Sequence, residues 1–150
     1  YDYITIDCPP SLGLLTINAF TASDAVIIPI QCEFFALEGL SQLMNTIRLV
    51  KKKLNPEINI DGVVLTMRDT RSNLGKQVAE EIGKFFGSSV FSTTIPRNVR
   101  LAEAPSYGMP VYLYDKTCPG SIAYLKLTEE YFDKNKISYK KIARKTTKKV

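Results

Sequence analysis

Apolar and polar positions fall into short β-type runs alternating with longer helical periods along the chain. Tyr3-Ile4-Thr5-Ile6-Asp7 alternates with a period of two, Ile4 and Ile6 on one side. It predicts a first strand, and Pro9-Pro10 must end it because proline cannot donate to a ladder. Leu14 to Ala22 reads as a short helix with Ser11 as its N-cap candidate. Asp24 to Ile30 is almost continuously apolar and predicts a parallel strand buried on both faces. From Leu37 to Leu54, Leu40, Leu43, Met44, Ile47 and Val50 recur at helical spacing. Lys51-Lys52-Lys53 places cations where the dipole of that helix favours them, so these lysines need no ligand. Ile60 to Met67 predicts a third strand. Leu74 to Phe86 predicts a helix with Val78, Ile82 and Phe85 inward, stopped by Gly87. Val90 to Ile95 predicts a fourth strand, broken by Pro96.

The pattern then loosens. Pro105 limits any helix after Arg97 to about two turns. Pro110 to Tyr114 predicts a short edge strand, and Cys118-Pro119-Gly120-Ser121 opens a last helix to about Asp133, with Ile122, Leu125, Leu127 and Phe132 as its apolar positions. Strands joined mostly by helices imply an α/β fold, a mostly parallel sheet with right-handed crossovers and helices on both faces. The loops beginning at Asp7, Gln31, Arg68 and Pro96 then open on one rim, where such sheets bind ligands.

Composition changes this picture in three places. Histidine is absent, which removes Ser-His-Asp and Cys-His catalysis and any His-ligated zinc site. Cys8, Cys32 and Cys118 are odd in number and lack CxxC spacing, which fits a reducing cytosol better than a disulfide framework. Cys8 and Cys32 end neighbouring predicted strands and read as small buried hydrophobes. The net charge of +5 is a poor average. Residues 1–133 hold twelve basic and fifteen acidic residues, a net −3, whereas 134–150 holds eight basic residues and no acid. The expected organisation is therefore a domain over 1–133 and a basic, flexible tail over 134–150. Such a tail is either a solvated end or a phosphate contact. No apolar run reaches the roughly 18 residues of a membrane span. The chain opens inside a strand without Met and reads as a piece of a longer one.

Asp7, at the carboxyl end of a hydrophobic strand, reads either as the cap of the next turn or as a carboxylate holding Mg2+ beside a nucleotide. Separated motifs favour the second. YDYITIDCPPSLGLLTINAF (1–20), DAVIIPIQCEFFALEGLSQLMNTIRLVKKKLNP (24–56), DGVVLTMRDTRSNLGKQVAEEI (61–82) and TTIPRNVRLAEAPSYGMPVYLYD (93–115) resemble the ParA/Soj family of chromosome- and plasmid-partitioning ATPases. The resemblance runs to about Tyr131. IPRNVRLAEAPSYG and QCEFFALEGL are its most specific parts.

The resemblance implies a deviant-Walker P-loop NTPase fold, here a partial domain. The KGGxGKT-like P-loop of that family is not in these 150 residues. With it go the amides and lysines that cradle phosphates, so the chain alone is expected not to hydrolyse ATP. By resemblance, Asp7 is the Walker B carboxylate, holding Mg2+ through a water, and Cys8, Pro9 and Pro10 begin the switch loop. Met67, Pro96, Arg97 and Asn98 lie on the adenine side. Arg71, Arg97, Arg100, Lys116 and Lys126 are candidates for DNA phosphates, each equally readable as ordinary surface charge. The implied cofactors are ATP and Mg2+. The implied partners are a second copy in an ATP-closed homodimer, non-specific double-stranded DNA and a ParB/Spo0J-type centromere-binding protein. The implied location is cytoplasmic and nucleoid-associated.

Three alternatives stand beside this. A MinD-like positioning ATPase would end in an amphipathic helix, and Ile137, Ile142 and Val150 scattered among lysines supply too little apolar face, so no membrane insertion is expected. A nitrogenase-iron-protein-like reductase would need cluster cysteines. A non-catalytic interaction module or degenerate paralogue is the alternative of a different class.

Overall fold

The computed structural model describes residues 1–33, 35–69 and 71–138. They fall into two compact units, the first Tyr1–Arg97 and the second beginning at Asn98.

The first unit is built on a β-α-β crossover. Strand β1 (Ala25–Gln31) leads into helix α2 (Ala36–Lys53), which returns the chain to strand β2 (Asn59–Thr66). The two strands pair in parallel, with Ile28 beside Val63 and Ile30 beside Leu65. These four side chains form one face. Helices α1 (Leu14–Ala22), α2 and α3 (Asn73–Phe86) cover it with Phe20, with Leu40, Ile47 and Val50, and with Val78 and Ile82. Each such side chain, fully buried, contributes roughly 1.5–3 kcal/mol. A polar tie closes the base of this core: Asn55 Nδ2 donates to the carbonyls of Phe20 (3.0 Å) and Ser23 (2.8 Å), joining the end of α1 to the end of α2. Ser72 caps α3 by accepting from the Gly75 N–H at 3.1 Å, and Gly87 (φ +54°) ends it.

Beyond β2 the chain touches the sheet again without forming a continuous strand. Val90 bridges Val63 in parallel, Pro96 bridges Arg68, and Phe91 and Ile95 donate to the carbonyls of Val63 and Leu65 (both 2.9 Å). The expected parallel order is kept, and the expected fourth strand is reduced to its two ends. Phe91 is buried directly against Gly62, where a Cβ would overlap the ring.

The second unit is helical. Helix α4 (Val99–Glu103) runs into a 3₁₀ turn (Ala104–Tyr107), then α5 (Val111–Tyr114) and α6 (Pro119–Lys134) follow. Cys118 caps α6, its Sγ accepting from the Ser121 N–H at 3.3 Å.

Several expectations are corrected. Residues 1–9 form no strand, and Ile4 (82%) and Ile6 (47%) are exposed. A strand exists through its ladder, and this segment pairs with neither β1 nor β2. Strand β1 is not buried on both faces, since Ile27 (47%) and Pro29 are exposed. Ser11 does not cap α1; Gly13 stands at that position, and Ser11 offers its carbonyl to Thr16 Oγ1 instead. Phe85 is exposed and Phe86 packs on the core, because Phe86 follows Val78 and Ile82 in the i, i+4, i+8 row of one helix face. Pro110–Tyr114 is a helical turn, with the Pro110 carbonyl accepting from Leu113 and Tyr114. In α6 the small residues Gly120, Ser121 and Ala123 face inward, and Ile122 is exposed. The basic tail lies, past Ser138, outside the described residues.

Candidate functional site

Parallel strands deliver their carboxyl ends to a common rim, and in the first unit that rim gathers charge. Strand β1 ends at Gln31, followed by buried Cys32 and exposed Glu33. Strand β2 ends at Thr66, followed by Met67, Arg68 and Asp69. The Val90–Pro96 segment delivers Arg97. Met67 adopts φ +50°, a left-handed conformation rare for a side chain of its size. That turn lets the next residue, Arg68, donate its N–H to the Ile95 carbonyl at 3.0 Å. The rim loop after β2 is thereby fixed to the Pro96 corner, and two of the expected adenine-side residues, Met67 and Pro96, are brought to one edge.

Two arginines of this rim are paired with acids. Arg97 reaches Glu33 at 3.6 Å. Arg71 grips Asp69 through Nε to Oδ1 and Nη2 to Oδ2, both 3.2 Å, and its backbone N–H also donates to Oδ1 at 2.9 Å. The Arg71 hydrogen bonds, helped by Arg97, hold the Asp69 carboxyl below the usual carboxylate range. Burial pushes the Cys32 thiol up, and the positive charge of Arg68 offsets part of that rise. Arg68 Nε is sealed from solvent and meets no hydrogen-bond acceptor among the described residues.

Asp7, Pro9 and Pro10 are exposed and Cys8 is half-buried, on the segment that forms no strand. Among the described residues no three Asp, Glu, Cys or His side chains gather around a common point. Asp7 thus stands without the further carboxylates, thiolates or imidazoles that would complete a metal site among the described residues.

The second unit carries the remaining candidates. Asn98 stands at the N-cap of α4 in an extended conformation, and its side chain makes no capping bond. Its Oδ1 is buried and meets no donor among the described residues. Arg100 lies between two acids, Glu103 at 2.7 Å and Asp115 at 3.6 Å. The Tyr114 hydroxyl also donates to Glu103, at 3.2 Å. Asp115 is further held by the backbone N–H groups of Thr117 and Cys118. Lys116 sits 5.2 Å from the Tyr112 ring centre, and Lys126 is exposed on α6. An open groove of about 430 Å3 lined by Leu101, Met109, Val111 and Tyr124 carries no charged residue in its wall and does not suit a polyphosphate.

Sequence reasoning found the arginines and missed their partners. Glu33, Asp69, Glu103 and Asp115 each neutralise a candidate phosphate contact, and Arg68 was passed over as a loop residue. Two signals were available: an Asp two residues before a loop residue accepts that residue's N–H in an Asx turn, which is the Asp69–Arg71 geometry, and Glu103 follows Arg100 at the i, i+3 spacing of a helix face.

The family model described as an AAA domain matches residues 1–60. The sporulation initiation inhibitor protein Soj of Bacillus subtilis is 65% identical over 130 residues, covering 87% of this chain and 51% of that protein. The chromosome partitioning protein ParA of Caulobacter vibrioides is 58% identical over 136 residues, covering 91% and 51%. Among solved structures, cobyrinic acid a,c-diamide synthase from Mycobacterium smegmatis with bound ADP and magnesium superposes with a TM-score of 0.63 at 32% identity, covering 82% of this chain and 43% of that one. The chain spans about half the length of the curated relatives it matches. Among the described residues no helix is long and apolar enough to cross a membrane.

Proposed function

The chain is homologous to the Soj/ParA chromosome-partitioning proteins over most of its length, and we propose from this that it is the carboxyl-terminal part of an ATPase that partitions DNA. The observation that carries the reading is the 65% identity to Soj over 130 residues. In the complete protein, ATP closes a homodimer, the dimer holds double-stranded DNA without sequence preference, and a ParB-type partner triggers hydrolysis and release. ATP with Mg2+ supplies the energy of that cycle when bound.

The residues take distinct roles in this reading. Asp7 orients a water of the hydrated Mg2+, and Cys8, Pro9 and Pro10 form the switch segment that follows it. Asn98 keeps the adenine-side role that the family resemblance gives it. Met67 and Pro96 flank the base, and Arg97 stands beside them. Arg71 and Arg100, with Arg97, Lys116 and Lys126, face DNA phosphates, whose contacts fix position without reading sequence. The ADP and magnesium bound in the synthase relative support a nucleotide with Mg2+ in this fold.

Two variants of the complete protein test this. Arg100→Ala and Arg71→Glu retain ATP binding and lose DNA retention. If a variant holds DNA at low salt as tightly as the unmodified protein, that arginine is not a DNA contact. The 150-residue chain alone does not hydrolyse ATP; a Mg-dependent rate matching that of the complete protein would overturn the assignment of phosphate binding to residues outside it.

A further inference from the structure

Three candidate DNA arginines each carry an internal acid: Arg71 with Asp69, Arg97 with Glu33, and Arg100 with Glu103. The Asp69–Arg71 pair is the most completely made. Its two guanidinium bonds occupy the Nε and Nη2 donors, the side-on fork through which arginine grips a phosphate. The Arg71 side chain is nevertheless 90% exposed, so the fork sits in reach of a duplex. Asp69 is also fixed from below, since its Oδ1 accepts the Arg71 N–H and its carbonyl accepts from Ser72. The carboxylate, 45% exposed, is therefore held towards Arg71 by three hydrogen bonds.

We propose that Asp69 is an internal counter-ion to Arg71 that a DNA phosphate must displace, and that this exchange holds down the affinity of the protein for DNA. The inference rests on the DNA-binding reading above and names how that surface is regulated. Its consequence is ionic. An arginine that neutralises a phosphate releases a counterion from DNA, and each such contact steepens the fall of log K with log salt by about 0.9. When the arginine first leaves Asp69, the freed carboxylate takes up a cation, and much of that release is cancelled. Arg71 then contributes contact geometry with little salt dependence.

Asp69→Asn tests this, because the amide keeps an Oδ1 acceptor for the Arg71 N–H and loses the charge. DNA affinity of the complete protein bound to a non-hydrolysable ATP analogue is measured on a random duplex across a salt series. It is measured for the unmodified protein, Asp69→Asn, Arg71→Ala and the double variant. The inference expects Asp69→Asn to bind several-fold tighter at low salt with a slope steeper by up to about 0.9. Both gains disappear in the Arg71→Ala background. Equal affinity and slope for the unmodified and Asp69→Asn proteins overturn the inference and leave DNA binding intact. A gain that persists without Arg71 also overturns it, since the effect is then general charge. If none of the four binds DNA, the DNA-binding reading falls and takes the inference with it.

Discussion

Arg68 donates its backbone N–H to the carbonyl of Ile95 at 3.0 Å, across 27 residues of sequence. This bond joins the loop leaving β2 to the Pro96 corner. It is reached only because Met67, one residue earlier, turns through φ +50°. A strained residue at the carboxyl end of a strand is thus what aligns two segments of the candidate nucleotide rim.

Relief of that turn is measurable. Non-glycine residues in such conformations carry a penalty on the order of 1–3 kcal/mol. Met67→Gly removes the strain and adds unfolded-state entropy, so its urea midpoint stays near that of the unmodified chain. Met67→Val, β-branched and poorer in this region, lowers stability by about 1 kcal/mol or more. A Val variant as stable as the Gly variant would contradict the strain.

The close approach of Gly62 and Phe91 positions the edge segment that ends at Pro96. Gly62→Ala forces a methyl into the buried ring and costs about 1–3 kcal/mol by denaturant unfolding. Gly62→Ala with Phe91→Leu recovers part of the loss. No loss in the single variant would contradict the packing.

Cysteine accessibility follows burial. Cys32 and Cys118 are buried and Cys8 is half-buried, all three free. The Cys32 thiol is also pushed up by burial, which keeps it protonated and slow. Iodoacetamide near neutral pH alkylates Cys8 first; early modification of Cys32 would contradict the core packing at the end of β1.

Protonation of Asp69 has a definite sign. Its carboxyl lies below the usual range because the Arg71 hydrogen bonds favour the ionised form. The stabilisation is present above the ordinary carboxylate value and is lost as pH falls through the lowered one. NMR titration of the Asp69 carboxyl carbon gives a lower midpoint than that of the Arg71→Ala variant; equal midpoints would contradict the pair.

The sequence made the crossover legible because burial imposes its period directly. Leu40, Ile47 and Val50 were readable as one helix face, and the order of β1, α2 and β2 followed from apolar runs separated by that helix. Boundaries set by pairing were not readable. Tyr3 to Asp7 has strand composition and no ladder, and Val90 to Ile95 touches β2 only near its ends. Neither a hydrogen-bond partner nor its absence is written in a segment's own side chains. At the site, Arg71 and Arg100 stood out by charge and motif. Of their acids, Glu103 stands three residues after Arg100 on α4 and Asp69 two residues before Arg71, both local spacings, whereas Asp115 reaches Arg100 only because the chain folds back through α5.

DNA retention by the complete protein, compared in its ATP-analogue and ADP forms at low and high salt, tests the central claim most directly. The account predicts salt-sensitive binding in the ATP-analogue form and little in the ADP form, because the nucleotide selects the DNA-binding dimer. Equal retention in both forms, or none in either, would contradict a partitioning ATPase.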